Sequence, residues 1–270
     1  VVCVNMAVNI IVNGACGRMG REVVAAVLDD PEAHLVGALE REGHEWIGRD
    51  IGTVVAAGTV RVQSDLRDLP VENAVIVDFS SPEGVGTLLN RVADIRTRLV
   101  IATTGVDGAG LEALRSAAQR IPIVYSPNMS RGINLLLHLT EQLCSALGSG
   151  FDVEIVEAHH RMKKDAPSGT ARKLAETAAA ALGLDAESAF RHGRRGMVGE
   201  RGTNQIGIHA VRGGDIVGDH TVLFAGQGER IELKHTAHSR ATFARGAVQA
   251  AKWLVERPEG LYSMRDVLGL

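Results

Sequence analysis

The chain has 270 residues, of which 45% are hydrophobic, 23% charged and only 3% aromatic, and 29 Lys and Arg face 32 Asp and Glu for a formal net charge of -3. This length allows two modest domains or one large one, and the near-neutral balance excludes a chain that holds nucleic acid by its overall charge. The scarcity of rings excludes a surface that stacks bases or sugars and leaves Val, Leu, Ile and Ala to build the cores.

Cys3, Cys16 and Cys144 form no CxxC pair, so neither a disulfide framework nor a zinc ribbon is expected. No apolar run approaches the roughly 20 residues that span a bilayer. The apolar opening lacks the basic start and small-residue cleavage site of a secretory leader. It reads as a tail leading into a first strand, and the expected compartment is the cytoplasm.

In chain order, Ala7–Val12 is a short apolar run that stops at a glycine turn. Met19, Val23 and Val27, with Val24 and Leu28 beside them, then fall on one helix face that Pro31 closes. Leu35–Leu39, Ala74–Phe79, Leu99–Ala102 and Ile121–Tyr125 are further apolar runs, several ending in small-residue turns. Near-continuous runs of this kind suit strands buried on both faces, as in a parallel sheet covered by helices. After about residue 130 the pattern changes. Ile133–Leu147 has helical spacing, Phe151–Ala158 alternates Val153 and Ile155 against Asp152, Glu154 and Glu157, and Thr170–Leu182 is again helical. Gln205–Val211, Ile216–Phe224 and Arg230–Thr236 read as antiparallel strands. Arg191, Arg194 and Arg195 lie among Gly193 and Gly196, which suggests a flexible basic loop. Ser239–Val255 returns to helical spacing, and Met264–Leu268 is a last short element. The expected architecture is a doubly wound α/β domain over 1–131, completed by 239–270, around a central α+β domain over 132–238 with a mixed or antiparallel sheet.

The run Gly14-Ala15-Cys16-Gly17-Arg18-Met19-Gly20 follows a strand and opens a helix. Backbone N–H groups of such a loop and the helix N-terminus can meet a pyrophosphate. Glu40 ends the second strand, 20 residues past Gly20, where an acidic residue accepts from ribose hydroxyls. Arg41 follows at once and suits a 2′-phosphate, so the pair points to both NADH and NADPH. The turns Ala102-Thr103-Thr104-Gly105 and Ser126-Pro127-Asn128-Met129 also follow strand carboxyl ends, the edge where open α/β sheets bind ligands. Their small hydroxyl and amide side chains can hydrogen-bond nicotinamide or ribose, but on local grounds alone ordinary turn chemistry explains them better.

Glu157-Ala158-His159-His160-Arg161-Met162-Lys163-Lys164-Asp165-Ala166-Pro167-Ser168-Gly169-Thr170-Ala171 is the most informative stretch. Histidine can donate a proton near neutral pH, lysine supplies a compact cation, and a helix start rich in Ser, Gly and Thr presents donors to an anion. Between His159 and Lys173 five cations face one acid, a local excess of +4. Adjacent histidines on an extended chain point to opposite faces, so no metal site is expected. Singly, Lys163 and Lys164 also read as a solvated pair, and Ser168 or Thr170 as a helix cap. Together the residues describe a site for a small carboxylate with an acid nearby.

GACGRMG at Gly14–Gly20, ALER at Ala38–Arg41, ATTG at Ala102–Gly105, SPNMS at Ser126–Ser130 and above all EAHHRMKKDAPSGTA at Glu157–Ala171 resemble the dihydrodipicolinate reductase family, from about Ala7 to the close at Arg265–Leu270. The resemblance implies a Rossmann-like domain made from both chain ends, a central domain whose sheet builds a homotetramer, and no nucleic-acid or membrane partner. It implies NADH- or NADPH-dependent reduction of a cyclic dicarboxylate, 4-hydroxy-tetrahydrodipicolinate, on the diaminopimelate route to lysine. By position, His159 resembles the proton donor and Lys163 a second acid and carboxylate partner. His160, Ser168, Gly169 and Thr170 resemble substrate contacts. Gly14, Ala15, Cys16, Gly17, Arg18, Met19, Glu40, Arg41, Ala102, Thr103, Thr104, Ser126, Pro127, Asn128 and Met129 resemble cofactor contacts. Cys16 and Ala102 depart from the residues usual there, though both stay small. Other two-domain amino-acid dehydrogenases share the glycine loop but give no reason for the histidine segment. A DNA-binding nucleotide sensor is opposed by the charge balance.

Overall fold

The structure is a computed structural model that describes residues 7–55, 60–67 and 69–270. The expected N-terminal tail, with Cys3, lies outside the described residues. In chain order the elements are β1 (Val8–Asn13), α1 (Arg18–Asp29), β2 (Ala33–Leu39), α2 (Gly52–Val55), β3 (Val62–Gln63), β4 (Ala74–Asp78), α3 (Pro82–Arg91), β5 (Arg98–Ile101), α4 (Gly108–Ala117) and β6 (Pro122–Tyr125). Next come α5 (Arg131–Leu147), β7 (Asp152–His159), α6 (Gly169–Ala181), α7 (Ala186–Ala189), β8 (Phe190–His192), β9 (Ile206–Arg212), β10 (Gly218–Ala225) and β11 (Arg230–Ala237). The chain closes with α8 (Ala241–Leu254), β12 (Gly260–Tyr262) and α9 (Met264–Leu268). Two compact units result: the described chain up to Arg131 with Arg240–Leu270, and Gly132–Ser239.

The first unit is a seven-stranded sheet in the order β12-β6-β5-β4-β1-β2-β3, with every strand pair parallel. Both faces are covered, which is why its strands are continuous β-branched runs; all five residues of β4 are buried. Ile10 and Val12 share a core with Val23, Val24 and Val27 of α1 and with Ala247, Val248 and Ala251 of α8. Ile11, Ile76 and Leu99 share the opposite core with Leu88 of α3 and Leu114 of α4. Leu28 is the exception on the expected α1 face and stays 38% exposed. Gly246 lets α8 approach closely, because a Cβ there would meet the Met129 carbonyl oxygen at 1.8 Å.

The second unit carries a five-stranded sheet in the order β11-β10-β7-β9-β8. β10 is antiparallel to β7 and β11, as its alternation suggests. β9 corrects the expectation for Gln205–Val211: it runs parallel to both β7 and β8. The chain leaves β7 through α6 and returns from the far end, a crossover that yields parallel neighbours where a hairpin would yield antiparallel ones. A second correction concerns Glu157. Strand parity places it with Val153 and Ile155, not with Asp152 and Glu154, and it is fully buried. α6 seats on this face through Ala171, Leu174, Ala175, Ala178 and Ala179, so the alanine-rich sequence is what lets the helix lie close. The arginine loop is also more fixed than its glycines suggest: Arg194 donates two hydrogen bonds to Glu154, and Arg191 donates to two backbone carbonyls.

Replacing Gly246 with Ala is expected to cost about 1–3 kcal/mol through the forced displacement of α8 or the Met129 turn. Thermal unfolding measures it; an unchanged Tm would show slack in this packing.

Candidate active site

In the first unit the glycine loop sits at the carboxyl end of β1. Gly14 adopts a φ of +75°, a conformation that favours glycine. A Cβ on Gly20 would lie 2.0 Å from the Gly14 carbonyl oxygen, so this position must also be glycine for α1 to pack on the loop. Gly17 caps α1 without a side-chain hydrogen bond, which leaves the first-turn N–H groups to a ligand. Glu40 lies beside the loop: Cys16 N–H donates to its Oε1 at 2.9 Å. Burial first and the Glu40 charge second push the Cys16 thiol up to about 11, so it is an unreactive wall of the loop. Arg18 and Arg41 are exposed. The loop, the uncapped helix start and the adjacent carboxylate fit a dinucleotide.

Sequence reasoning missed what holds this edge together. Asp78, at the end of β4, is fully buried. It accepts from Asn13 Nδ2 at 2.5 Å, Ser80 Oγ at 2.8 Å and Thr103 Oγ1 at 2.5 Å. One carboxylate thus ties β1, β4 and the turn after β5. Thr103 therefore turns its hydroxyl inward, and Ser126 Oγ donates to the Asn128 carbonyl. Met129 is buried in the core. These turns present Thr104 and Pro127 outward, together with backbone.

In the second unit, the face of β7 that begins as core, Val153 and Ile155, ends as a polar cluster at Glu157 and His159. Glu157 takes four hydrogen bonds. Arg212 donates both terminal nitrogens at 2.8 Å, Ser168 N–H donates at 2.9 Å, and His159 Nδ1 lies 2.6 Å from Oε2. Register makes this possible, since His159 pairs with Arg212 on β9 and Glu157 with His220 on β10. Burial opposes ionisation of Glu157, but Arg212, His159 and the Ser168 N–H together hold its carboxyl below the usual range. For His159, burial is the largest influence and lowers its pKa; Glu157 pulls the other way, and Lys163 and Arg212 add to the lowering. His220 packs its ring edge on His159 with centroids 5.2 Å apart, and its Nε2 lies 3.0 Å from Ser168 Oγ. Burial pushes His220 down to about 3.

The loop after β7 brings the other expected residues together. His160 N–H donates to the Ile216 carbonyl and Lys163 N–H to the His160 carbonyl. Lys163 Nζ lies 2.9 Å from Asp165 Oδ2. Ser168 caps α6 by accepting from Ala171 N–H, and Gly169 is exposed with open space beside its Cα. The expected +4 excess shrinks, because Glu176 pairs with Arg172 and Lys173. Arg161 and Lys164 are exposed. Glu157, Arg212 and His220 had no role in the sequence reading. Correct strand parity would have flagged Glu157; Arg212 and His220 become visible only through pairing register. Among the described residues no group of three or more His, Cys, Asp or Glu side chains converges as a metal site.

A dinucleotide-type parallel sheet, joined in one chain to a unit carrying a buried histidine–carboxylate pair and a lysine, defines a two-domain reductase. A family model described as dihydrodipicolinate reductase, N-terminus, matches residues 8–129, and one described as dihydrodipicolinate reductase, C-terminus, matches residues 132–268. The chain belongs to the dihydrodipicolinate reductase family. It is 49% identical over 266 residues to the 4-hydroxy-tetrahydrodipicolinate reductase of Thiobacillus denitrificans, covering 98% of this chain and 100% of that one. The enzyme of the same name from Chromobacterium violaceum is 47% identical over the same coverage. The solved structure of dipicolinate-bound dihydrodipicolinate reductase from Paenisporosarcina sp. TG-14 matches with a TM-score of 0.74 at 25% identity, covering 96% of this chain and 98% of that one.

Two outcomes are expected. Asp78→Asn replaces one accepting oxygen with an NH2 that faces donors, at about 1–3 kcal/mol, and weakens NADH binding; thermal unfolding and a fluorescence titration read the two effects. Second, His220 is neutral when folded and gains a proton below about 6.5 when unfolded. The unfolded state therefore binds more protons between that value and about 3. Stability is full above this window and falls with pH inside it, at up to about 1.4 kcal/mol per pH unit. Urea midpoints should decline from about pH 6.5 to 5 in the native chain and flatten in His220→Asn; equal slopes would contradict this origin.

Proposed function

We propose that the chain catalyses the NAD(P)H-dependent reduction of 4-hydroxy-tetrahydrodipicolinate to tetrahydrodipicolinate, the reductive step of the diaminopimelate route to lysine. Its family membership and its relatives' names support this reading. One geometric observation carries it: β7 ends on His159, oriented by a buried carboxylate, and the loop beyond leads through Lys163 to the start of α6. The dinucleotide supplies the hydride that takes the place of the departing ring hydroxyl. The balance consumes one proton and releases water and the oxidised dinucleotide.

The chain's own residues then have these tasks. His159 delivers the proton, and Lys163 is the second acid and the cation for a substrate carboxylate. The N–H groups of Gly169 and Thr170 at the start of α6 receive a carboxylate, with His160 beside them, and Ser168 holds that helix start in place. The loop from Gly14 to Met19, the Ala102–Thr104 turn and the Ser126–Met129 turn hold the dinucleotide. Glu40 accepts from its ribose, and Arg41 suits a 2′-phosphate. The proposed setting is the cytoplasm; among the described residues no helix is long and apolar enough to cross a membrane. We also propose a homotetramer. The sheet face of the second unit opposite α6 leaves Val211 48% exposed, an apolar position for a second copy to bury.

Turnover is read as NAD(P)H oxidation with freshly prepared dihydrodipicolinate synthase product, each dinucleotide in turn, against oxaloacetate plus ammonia. Oxidation with only the second substrate would sink the assignment. His159→Gln is expected to lower kcat by about 10²–10⁴-fold with little change in KM. Lys163→Ala should damage both parameters, and an unchanged KM would remove its carboxylate role.

A further inference from the structure

Glu157 does more than fill a corner of the second unit. Among its four hydrogen bonds, those from Arg212 and from the Ser168 N–H are fixed donors. An ionised carboxylate can only accept, so His159 Nδ1, 2.6 Å away, must be the ring nitrogen that carries hydrogen. The free lone pair of the neutral ring then lies on Nε2. That nitrogen faces Gly218, where a Cβ would stand 3.1 Å from it. Glycine at the start of β10 therefore leaves this side of the ring uncrowded.

We propose that Glu157 and Arg212 form a positioning pair for His159: Glu157 fixes the imidazole so that Nε2 is the proton-delivering atom, and Arg212 occupies the carboxylate's charge so that the ring can release that proton. The proposal rests on the reading of His159 as the acid. A lone buried carboxylate beside a histidine would hold the imidazolium tightly. Here the guanidinium engages both carboxylate oxygens, so Glu157 and Arg212 cancel and the neutral ring completes an uncharged trio. The groups facing His159 are Glu157 on β7, Arg212 on β9, His220 on β10 and Lys163 on the loop, with Asp165 paired to Lys163. His235 on β11 stands beyond His220. Arg212 and Lys163 both act on the ring as positive neighbours, which favours release of the proton, and His220 adds no charge near neutral pH.

The test is a pH titration of ¹⁵N-labelled histidine by NMR on the full chain without substrate or dinucleotide. In the native chain the neutral His159 ring is expected to carry hydrogen on Nδ1, with Nε2 titrating. Arg212→Met should raise the titration midpoint by about one pH unit or more, a tenfold change in proton affinity. Glu157→Gln keeps an acceptor for Nδ1–H, so it should retain the tautomer and lower the midpoint. The kcat–pH limb should move with the midpoint, upward in Arg212→Met. Midpoints that stay put or shift in the same direction in both variants, or a native ring protonated on Nε2 alone, would overturn the proposal. A purely structural brace predicts lost stability without opposed midpoints. If Arg212→Met does not fold, the Glu157→Gln/Arg212→Met double variant removes both charges together. Its midpoint should lie above that of Glu157→Gln and near the native value, and a midpoint at or below that of Glu157→Gln would equally overturn the pair. Because the NMR reading needs no turnover, failure of the reductase assay and failure of this proposal are separate results.

Discussion

A fully buried carboxylate is the constraint on which the second unit depends. Removing an ion from water costs several kcal/mol unless charge and hydrogen bonds answer it. Glu157 is answered from three places in the chain: Arg212 from the adjoining strand, Ser168 N–H from the start of α6, and His159 from its own strand two residues on. Each partner is correctly placed only if β9 runs parallel to β7 in its observed register and α6 begins at Gly169. One slip of register would turn Arg212 to the other face and leave a buried charge uncompensated. The requirement that fixes the fold here also fixes the histidine ring.

The first unit uses the same device at a different strand end. Asp78 gathers Asn13, Ser80 and Thr103 where three parallel strands finish. Its effect is to bind the Ser80 and Thr103 hydroxyls and fix the turns that carry them. In both units a buried acid at the carboxyl end of a central strand converts flexible turn chemistry into fixed donors. Preorganisation of this sort lowers the ordering cost that binding would otherwise incur.

Much of this was legible in residues alone. Apolar runs located nearly every main strand, and the glycine spacing marked a loop whose Gly20 admits no side chain. Periodicity could also separate the helical return after Ser239 from the middle of the chain. Three things were not legible, each for a physical reason. The parallel course of β9 depends on where a crossover returns, which no local pattern encodes. β8 has three residues, too few to show a period. Arg212 and His220 lie 53 and 61 residues beyond His159 in the chain, and only register brings them beside it. Glu157 is a different case: counting by two from Val153 was enough to find it.

Charge around the site also follows pairing more than composition. Glu176 pairs with two of the cations counted between His159 and Lys173. Lys163 is itself paired, but with Asp165, whose side chain is 63% exposed. An ion pair with one partner so open to solvent is worth about 0–1 kcal/mol. Lys163 can therefore exchange Asp165 for another anion at little cost. Arg212, by contrast, is committed to a fully buried partner and is not available to a ligand. The two cations flanking His159 thus divide their work by burial: the one on the loop is free to exchange partners, and the one on the strand is not.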